Sequence, residues 1–402
     1  MRILHTSDWH LGKNLEHVNR LEEQEQFIEE LEGIADEENI DLIIIAGDIY
    51  DVSTPPVSAE KLFYKSLKNL TKDGKRVVFV VAGNHDSPER LTAVDSLIED
   101  LGTGIIIMGT PKSVIPKSDF KHYSVVDSGE GFVEINIKGE NIVILGMPYP
   151  SDKRLNEIIS EESSDELIQK EYSEKIGQIF RNLSEKYRDD TINIAVGHFH
   201  VRGGEVSTSE RDIQIGGSMA VNVSDLPQNA QYIAMGHLHR PQRISGEVKN
   251  VYYSGSPIQY SKSEINYSKS VYIIDIEAKK DAVVTKKYLR NYKPIEIWKT
   301  KSIEEALLKC KESDNENIWI FLEIETDRVL TNSEIKELKT NKKNIIEILP
   351  IFKNIERESE IAYEEDRTIQ EEFIDFYEYR RGAKISKETL EVFSKICNDI
   401  EL

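Results

Sequence analysis

The sequence predicts an α/β fold built from layers of β-sheet and helix, followed by a small α+β domain and two terminal helices. Three observations predict it. Five apolar runs of strand length (RILHT, IDLIIIA, RVVFVVA, TINIAV and QYIAM) are each followed by a short cluster rich in Asp, Asn, His and Gly. Amphipathic helical segments alternate with the first of these runs, which is typical of α/β layers. Beyond about residue 277, no further cluster of this kind follows a predicted strand.

Residues 1–109 consist of repeated strand–helix units. After the first strand, apolar residues recur at helical spacing between positions 27 and 35 and predict an amphipathic helix. The continuous apolar run Leu42–Ala46 predicts a strand that is buried on both faces. A second helix is predicted from about Ser58 to Lys72, with Gly74 at the position of a C-cap.

The remaining sequence divides into three parts. The pattern is strand-rich from residue 105 to 147, a charged helical segment follows, and strands return near residues 191, 231, 251 and 271. The domain that carries the motifs is therefore predicted to span residues 1–277. Residues 285–352 show a strand–helix–strand–helix–strand order, which predicts a small accessory domain. Residues 368–402 predict two helices whose apolar faces are large for an isolated tail, which favours docking onto a partner.

Composition restricts the class of protein. The chain has 402 residues, a formal net charge of −21 and two cysteines, Cys310 and Cys397, that lie outside every motif. The charge argues against nucleic-acid binding, which Lys and Arg drive. However, much of the acid lies in predicted solvated helices, since residues 22–38 hold nine carboxylates and no basic residue. The absence of a long apolar stretch and of a signal pattern predicts a cytoplasmic protein without membrane association or disulfides.

Five polar clusters carry the chemistry. They are Asp8-x-His10, Gly47-Asp48-x-x-Asp51, Gly83-Asn84-His85-Asp86, Gly197-His198 and Gly236-His237-x-His239. Because each follows a predicted strand, we expect all five to meet at one site. Carboxylates, imidazoles and one amide without any thiolate suit manganese, iron or zinc, whereas magnesium would take fewer histidines.

Seven residues in these clusters are the expected metal ligands: Asp8, His10, Asp48, Asn84, His198, His237 and His239. If the Asp48 carboxylate bridges two ions, the protein supplies about eight metal–ligand bonds, and two octahedral ions keep about four positions for water and phosphate oxygens. Two such ions can activate water and stabilise both oxygens of an in-line displacement at phosphorus. The clusters therefore predict a two-metal phosphoesterase.

Three further residues of the clusters have expected roles beside the metals. His85 follows the expected ligand Asn84, so we expect it to stabilise the transition state or to donate a proton to the departing oxygen. Asp51 and Asp86 are expected to hold an imidazole or a loop in place. His200 repeats the spacing of the last cluster after His198, but the ligand set is complete without it, and its role stays open.

The ordered motifs resemble the calcineurin-like metallophosphoesterase superfamily, which implies two sheets sandwiched between helices, with the metals at the strand ends. Within it, the runs TSDWHLGK, GDIYDVSTPP, VAGNHDSPERL, GHFHV, GHLHRPQ and YSGSPIQYS resemble the SbcD family, the nuclease subunits of bacterial SbcCD double-strand-break repair complexes. These motifs extend from Thr6 to Ser261. Beside them, Lys13, Arg20 and Arg90 are candidate DNA contacts, and a solvated surface role is an equal alternative for each.

The resemblance implies a manganese-dependent nuclease that degrades duplex DNA from 3′ ends and cuts single strands and hairpins. It assigns one ion to Asp8, His10, Asp48 and His239, the other to Asp48, Asn84, His198 and His237, and places His85 at the scissile phosphate. It also implies a DNA-binding capping domain at residues 285–352 and a coiled-coil ATPase partner of the SbcC type, held by the C-terminal helices. It further implies a homodimer formed through helices of the nuclease domain, for which residues 62–70 and 91–98 are the candidate contacts.

Two alternatives compete with this interpretation. A phosphatase or a stand-alone phosphodiesterase could share the scaffold, but phosphoprotein phosphatases of this type carry Arg-Gly after the second motif, where this chain has Val52-Ser53 after Asp51. A stand-alone phosphodiesterase would also not need the residues beyond the core. A non-catalytic scaffold would be expected to lose ligands, whereas every ligand position is filled here.

Overall fold

The computed structural model describes residues 1–95, 101–151, 165–210, 219–246, 248–352, 368–381 and 384–399. The chain forms two compact units, Met1–Pro294 and Ile295–Leu402. The first unit extends beyond the predicted limit at residue 277, because strand Val283–Tyr288 pairs antiparallel with strand Ser270–Asp275 of the same sheet. The predicted boundary was therefore too early, and the first residues assigned to the accessory domain belong to the first unit.

Strands and helices are numbered along the described residues. The strands are β1 (Arg2–Thr6), β2 (Asn14–Leu15), β3 (Val18–Asn19), β4 (Leu42–Ala46), β5 (Val77–Val81), β6 (Ile105–Met108), β7 (Ser118–Asp119), β8 (Tyr123–Gly129), β9 (Phe132–Ile137), β10 (Glu140–Met147), β11 (Ile192–His198), β12 (Tyr232–Gly236), β13 (Gln242–Ile244), β14 (Val251–Tyr253), β15 (Ser270–Asp275), β16 (Val283–Tyr288), β17 (Ile295–Thr300), β18 (Trp319–Thr326) and β19 (Ile345–Phe352).

The helices are α1 (Leu21–Glu37), α2 (Val57–Thr71), α3 (Pro88–Leu91), α4 (Asp165–Leu183), α5 (Ile303–Glu312), α6 (Asn332–Asn341), α7 (Ile369–Arg381) and α8 (Lys387–Asp399). Short 3₁₀ turns occur at Thr92–Val94, Ser184–Lys186, Val223–Asp225 and Lys262–Glu264. In the part of the chain described, no helix combines the length and the apolarity that a membrane crossing requires.

One sheet of the first unit has six strands in the order β16-β15-β1-β4-β5-β6. Strands β1, β4, β5 and β6 run parallel. All residues of β4 and β5 are buried, which explains their continuous apolar sequences, because a parallel strand covered on both faces has no solvent side. The carboxyl ends of β1, β4 and β5 lie at one edge of this sheet, and three of the polar clusters follow them.

The other sheet has eight strands in the order β13-β14-β12-β11-β10-β9-β8-β7. Its strands β10, β11, β12 and β14 are parallel, and antiparallel strands complete it at both edges. The clusters at His198 and His237 lie at the carboxyl ends of β11 and β12, which are neighbours in the sheet.

The two sheets pack face to face between helices. Ile44 and Phe79 of the six-stranded sheet share one apolar core with Ile144 and Ile194 of the eight-stranded sheet. Helices α1 and α2 cover the outer face of the former, and α4 packs on the outer face of the latter. The predicted sandwich of two sheets flanked by helices is confirmed.

The apolar face of α2 packs on the outer face of the six-stranded sheet. Leu62, Phe63, Leu67 and Leu70 are at most 7% exposed and pack against the six-stranded sheet. These side chains therefore belong to the core, and a dimer contact through residues 62–70 would have to use the exposed face of α2. Of the second candidate segment, residues 96–98 lie outside the described residues.

The second unit contains a parallel sheet β17-β18-β19 with α5 and α6, in the strand–helix order that the sequence predicts. Its helices begin at side-chain caps: Ser302 accepts a hydrogen bond from the backbone of Glu305, and Thr331 forms a capping box with Glu334. Helices α7 and α8 follow. The rings of Phe373 and Phe393 are stacked with centroids 3.6 Å apart.

Candidate metal centre

All seven expected ligands lie at strand ends of the first unit and come from both sheets. The six-stranded sheet contributes Asp8, His10, Asp48 and Asn84, and the eight-stranded sheet contributes His198, His237 and His239. The structure brings them together at one edge of the sandwich. Six of these side chains are almost fully buried, with Asp8 and His198 at 0% exposure and Asp48 at 2%, and Asn84 is partly exposed.

The first group of donor atoms belongs to Asp8, His10 and His239, which lie within 4.8 Å of one another. The Nε2 atoms of His10 and His239 are 3.0 Å apart. Two ligands that each lie about 2.1 Å from an ion and make a right angle at it are about 3.0 Å apart. The two imidazoles are therefore spaced as neighbouring ligands of one ion.

The second group lies on the other side of Asp48. The amide oxygen Oδ1 of Asn84 is 3.0 Å from His198 Nε2 and 3.1 Å from His237 Nδ1. These spacings again match neighbouring ligands of one ion. An amide oxygen and two imidazole nitrogens are suitable donors for a divalent transition metal.

The Asp48 carboxylate lies between the two groups. Its Oδ2 atom is 3.5 Å from His10 Nε2 and 3.3 Å from His198 Nε2. Its Oδ1 atom accepts a hydrogen bond of 2.9 Å from the backbone N–H of His85, which fixes the carboxylate plane. Asp48 is thus the residue whose position suits a bridge between two ions.

The electrostatics of the pocket agree with a bound cation. Burial raises the pKa of Asp8 to about 6 and lowers the pKa of His10 to about 3. Burial alone would also raise the pKa of Asp48, but the imidazoles of His198 and His85 outweigh it and hold that pKa well below its usual range. A buried pocket of carboxylates and imidazoles fits divalent cations, whose positive charge would offset the cost of burying the carboxylates.

His85 faces the same centre from outside the ligand set. Its Nδ1 atom is 2.5 Å from the backbone carbonyl oxygen of Asp51, so Nδ1–H donates there. Its Nε2 atom lies 3.9 Å from Asp48 Oδ2 and is directed towards the ligands. The structure therefore places His85 beside the expected ligands, and its role at the centre stays a prediction.

Asp51 and Asp86 connect the loops that carry the ligands. The Asp51 carboxylate lies 3.6 Å from His10 Nδ1 and 2.7 Å from Lys13 Nζ. The Asp86 carboxylate accepts backbone N–H groups from Gly83, Ile49 and Tyr50 at 2.8, 3.1 and 3.0 Å. Asp86 therefore ties the loop after β5 to the loop after β4.

The candidate DNA contacts differ in exposure. Arg90 is 41% exposed and pairs with Glu60, and Lys13 is 19% exposed, so both remain predictions. Arg20 is 1% exposed, and its guanidinium bonds to Glu23 and to the backbone oxygen of Gln259. The prediction that Arg20 contacts DNA is therefore wrong, because its donors are directed into the protein.

His200 lies two residues after the ligand candidate His198. Burial lowers its pKa, and among the described residues its Nε2 atom has no hydrogen-bond partner. Its role remains open.

Comparison with known proteins decides the family. The model of the calcineurin-like phosphoesterase family matches residues 1–241, which include all seven expected ligands. The SbcD component of the SbcCD nuclease of Bacillus subtilis (strain 168) is 37% identical over 403 residues, which cover 100% of this chain and 99% of the relative. The chain belongs to the SbcD family of calcineurin-like phosphoesterases. It is a metal-dependent phosphoesterase.

Two further SbcD relatives extend along most of the chain. The SbcD component of the SbcCD nuclease of Escherichia coli (strain K12) is 29% identical and covers 95% of this chain and 93% of the relative. The corresponding protein from Staphylococcus epidermidis (strain ATCC 12228 / FDA PCI 1200) is 28% identical, with 93% and 92% covered. The similarity therefore includes most of the chain beyond the phosphoesterase domain.

A group of polar residues behind His239 lies outside the five clusters that the sequence of this SbcD-family chain marks. They are Ser209, Glu210, Ser256, Glu264 and Lys269. No periodic pattern marks them. Ser209 and Glu210 are adjacent in one loop, Glu264 lies in a 3₁₀ turn and Lys269 directly precedes β15, so they meet only in the folded protein. Their one signal in the sequence is that Ser256 lies within the run YSGSPIQYS and Glu264 lies shortly after it.

The backbone of the phosphoesterase centre is held in an uncommon conformation. Asp8, His10, Asp48 and His237 have positive φ angles of 54°, 44°, 50° and 104°. Residues other than glycine adopt positive φ angles at a cost in conformational free energy, and such angles persist only where surrounding contacts hold the backbone in place. At this centre, the hydrogen bonds and the close packing of the ligand loops hold it in place.

Gly47 shows how closely the centre is packed, and Gly47→Ala is expected to disrupt it. Its φ is +85°, and a Cβ atom there would overlap the imidazole of His198. The backbone alone would cost about 1–2 kcal/mol, and displacement of His198 should add to this and weaken metal binding. Gly139→Ala is the matched control, since Gly139 has φ +90° with no atom within 4 Å of such a Cβ.

Denaturant unfolding and metal titration of both variants test this expectation. In Gly139→Ala, the free energy of unfolding should fall only by the backbone cost, and the variant should bind metal as the wild type does. Equal destabilisation of the two variants with normal metal binding would show that His198 does not limit the space at Gly47.

Proposed function

We propose that this chain is a manganese-dependent DNA nuclease that degrades duplex DNA from 3′ ends and cleaves single strands and hairpins. The observation that carries the proposal is the Asp48 carboxylate between two groups of ligand atoms, with His85 Nε2 3.9 Å from it. This arrangement suits hydrolysis of a phosphodiester. DNA as the substrate is supported by the relatives, each of which is named as part of a nuclease.

The residues that would hold the two ions are the seven expected ligands, with Asp48 shared. When bound, the ions supply Lewis-acid stabilisation and an activated water for in-line displacement at phosphorus. Manganese is favoured because carboxylate, amide and imidazole donors are mixed in one centre. The remaining contributions to catalysis come from side chains of the protein.

His85 acts at the phosphate. The Asp51 carbonyl oxygen accepts its Nδ1–H and thereby fixes the plane of the ring. In the protonated imidazole, Nε2–H is then directed at the centre, where it can stabilise charge on the phosphate and give its proton to the departing oxygen. Asp86 keeps this geometry, because it ties the loop of His85 to the loop of Asp48.

We also propose a coiled-coil ATPase partner of the SbcC type, which would bind α7 and α8 in the cytoplasm. Phe376 on α7 is 56% exposed and Val392 on α8 is 58% exposed, and such apolar side chains on a helical pair are typical of a docking surface. The relatives are named as components of a complex, which supports a partner. A DNA-binding role for residues 295–352 and a homodimer remain parts of the same proposal.

Cleavage of end-labelled DNA tests the proposed function. Purified chain with Mn²⁺ is incubated with 5′-labelled duplex, with hairpin DNA, and in parallel with bis-p-nitrophenyl phosphate and p-nitrophenyl phosphate. We expect shortening of the duplex from its 3′ ends, opening of the hairpin and hydrolysis of the diester, all abolished by EDTA and restored by Mn²⁺.

Other outcomes separate the alternatives. Preferential hydrolysis of the monoester would indicate a phosphatase. If the chain hydrolyses bis-p-nitrophenyl phosphate but leaves DNA intact even when the ATPase partner is added, the proposed phosphodiesterase activity stands. The proposed nuclease activity would then be wrong.

A further inference from the structure

A buried polar cluster lies on the Nδ1 side of His239. We call it the His239 cluster, and it consists of Ser209, Glu210, Ser256, Glu264 and Lys269. Glu264 is 0% exposed, Lys269 4% and Glu210 7%. Charged groups buried this deeply are retained only where they are paired and hydrogen-bonded. Glu264 and Lys269 form an ion pair, and both also contact His239 or its neighbours.

The cluster contacts every polar group of His239 except Nε2. The backbone N–H donates to Glu210 Oε1 at 2.9 Å. The backbone carbonyl oxygen accepts from Lys269 Nζ at 3.1 Å. The Nδ1 atom lies 2.7 Å from Ser209 Oγ and 3.4 Å from Glu264 Oε1. The residue is therefore held from both backbone and side chain, and Nε2 alone is left to the metal centre.

These contacts select one tautomer of His239. The Glu264 carboxylate only accepts hydrogen bonds, so the Ser209 hydroxyl donates its hydrogen to Glu264 Oε1. The Ser209 oxygen is then left to accept a hydrogen bond from His239 Nδ1–H. With the proton on Nδ1, the lone pair of Nε2 faces the centre, where His10 Nε2 lies 3.0 Å away.

The two sides of the centre differ in the charge behind their histidines. His198 Nδ1 lies 2.8 Å from the backbone carbonyl oxygen of Ala46, a neutral acceptor. Behind His239, Glu264, Glu210 and Lys269 supply two carboxylates and one ammonium, a net charge of about −1 when all three are ionised. A carboxylate behind a ligating histidine increases the basicity of that ligand and its affinity for metal. Here Glu264 acts on the Nδ1–H of His239 mainly through the Ser209 hydroxyl.

We propose that Glu264 is a positioning residue that fixes His239 for coordination and makes the His10–His239 side of the centre the tighter of two unequal metal sites. The inference rests on the metal centre of the proposed function. It implies that the ion on the Asn84–His198–His237 side is the one that exchanges first when metal is scarce.

Titration of the metal-free full-length chain with Mn²⁺ tests the inference, with free Mn²⁺ measured by electron paramagnetic resonance. The wild type should bind in two steps of different affinity. Glu264→Gln, which keeps the shape and removes the charge, should weaken the tighter step by about 10–100-fold and leave the weaker step within about twofold. The matched control is Glu134→Gln, which removes a 5%-exposed carboxylate on β9 that is paired with Arg188, and it should change neither step.

Ser209→Ala provides an independent variant should Glu264→Gln not fold. It removes the relay between His239 and Glu264 and should weaken the same step. Long-range ¹H–¹⁵N spectra of metal-free protein labelled at histidine should show the His239 proton on Nδ1 in the wild type and a mixture of tautomers in Ser209→Ala. Glu264→Asp, which keeps the charge, should recover part of the tighter step.

The outcomes distinguish this inference from the proposed function. Two-step binding in the wild type that is unchanged in Glu264→Gln and Ser209→Ala would overturn the inference and leave the metal centre intact. Equal weakening of both steps would overturn it as well, since a general loss of structure acts on both sites. A wild type that takes up no Mn²⁺ would overturn the metal centre itself.

Discussion

Asp48→Asn is expected to abolish measurable phosphodiester hydrolysis and to weaken the binding of both metal ions. The substitution keeps the shape of the side chain and its acceptor for the His85 N–H, but removes the charge that lies 3.5 Å from His10 Nε2 and 3.3 Å from His198 Nε2. Loss of a supporting partner costs about 10–100-fold in metal affinity, so loss of a shared ligand charge should exceed about 100-fold for each ion. Hydrolysis should fall by about 10³-fold or more.

Calorimetric titration with Mn²⁺ and hydrolysis of bis-p-nitrophenyl phosphate measure the two effects. Asp41→Asn is the matched control, because Asp41 precedes the opposite end of β4 and pairs with Lys138. It should leave both measurements unchanged. Retention of one tightly bound ion in Asp48→Asn would show that the carboxylate serves a single ion and not both.

His85→Gln is expected to lower kcat by about 10²–10⁴-fold while metal binding stays within about twofold. Gln can still form a hydrogen bond to the Asp51 carbonyl oxygen, but it has no ionisable group to give a proton to the departing oxygen. The separation of turnover from metal binding follows from the position of His85, whose Nε2 lies 3.9 Å from Asp48 Oδ2 and outside both ligand groups.

The measurement pairs Mn²⁺ titration with steady-state hydrolysis of a small diester. His17→Gln, which changes an exposed histidine outside the motifs, serves as the control. Loss of metal in His85→Gln would identify this residue as a ligand instead. Unchanged turnover would remove it from the chemistry altogether.

The sandwich and the location of its centre could be predicted from the sequence because both depend on local patterns. A fully buried parallel strand is apolar at every position, as Leu42–Ala46 is, and parallel strands direct their carboxyl ends to one edge. Polar residues directly after such runs therefore converge. His85 and the seven ligand candidates could be located in this way without any knowledge of how the two sheets pack.

Contacts between distant segments could not be predicted in this way. Ser209 and Glu264 are 55 positions apart and meet behind His239 only when their loops fold together. Arg20 was mistaken for a surface residue because most arginines are exposed, whereas the Gln259 oxygen that it contacts lies 239 positions away.

Weak local signals account for two smaller errors. Helix α2 ends at Thr71, and Lys72 adopts the left-handed cap with φ 49°, so Gly74 is not the C-cap residue. The strand β16 was missed because its sequence VVTKKY lies at the edge of the sheet and is largely exposed, so it lacks the continuous apolar character of the inner strands.

The division of the ligands between two sheets has a consequence for how the molecule acquires its cofactor. Asp8 and the backbone of His237 are 229 positions apart and are joined by a hydrogen bond of 2.9 Å across the two sheets. A nascent or half-folded chain therefore has no binding site, and metallation would occur only after both sheets have assembled. Each ion would then link the two sheets. Its binding free energy would add to the free energy of unfolding of the whole domain.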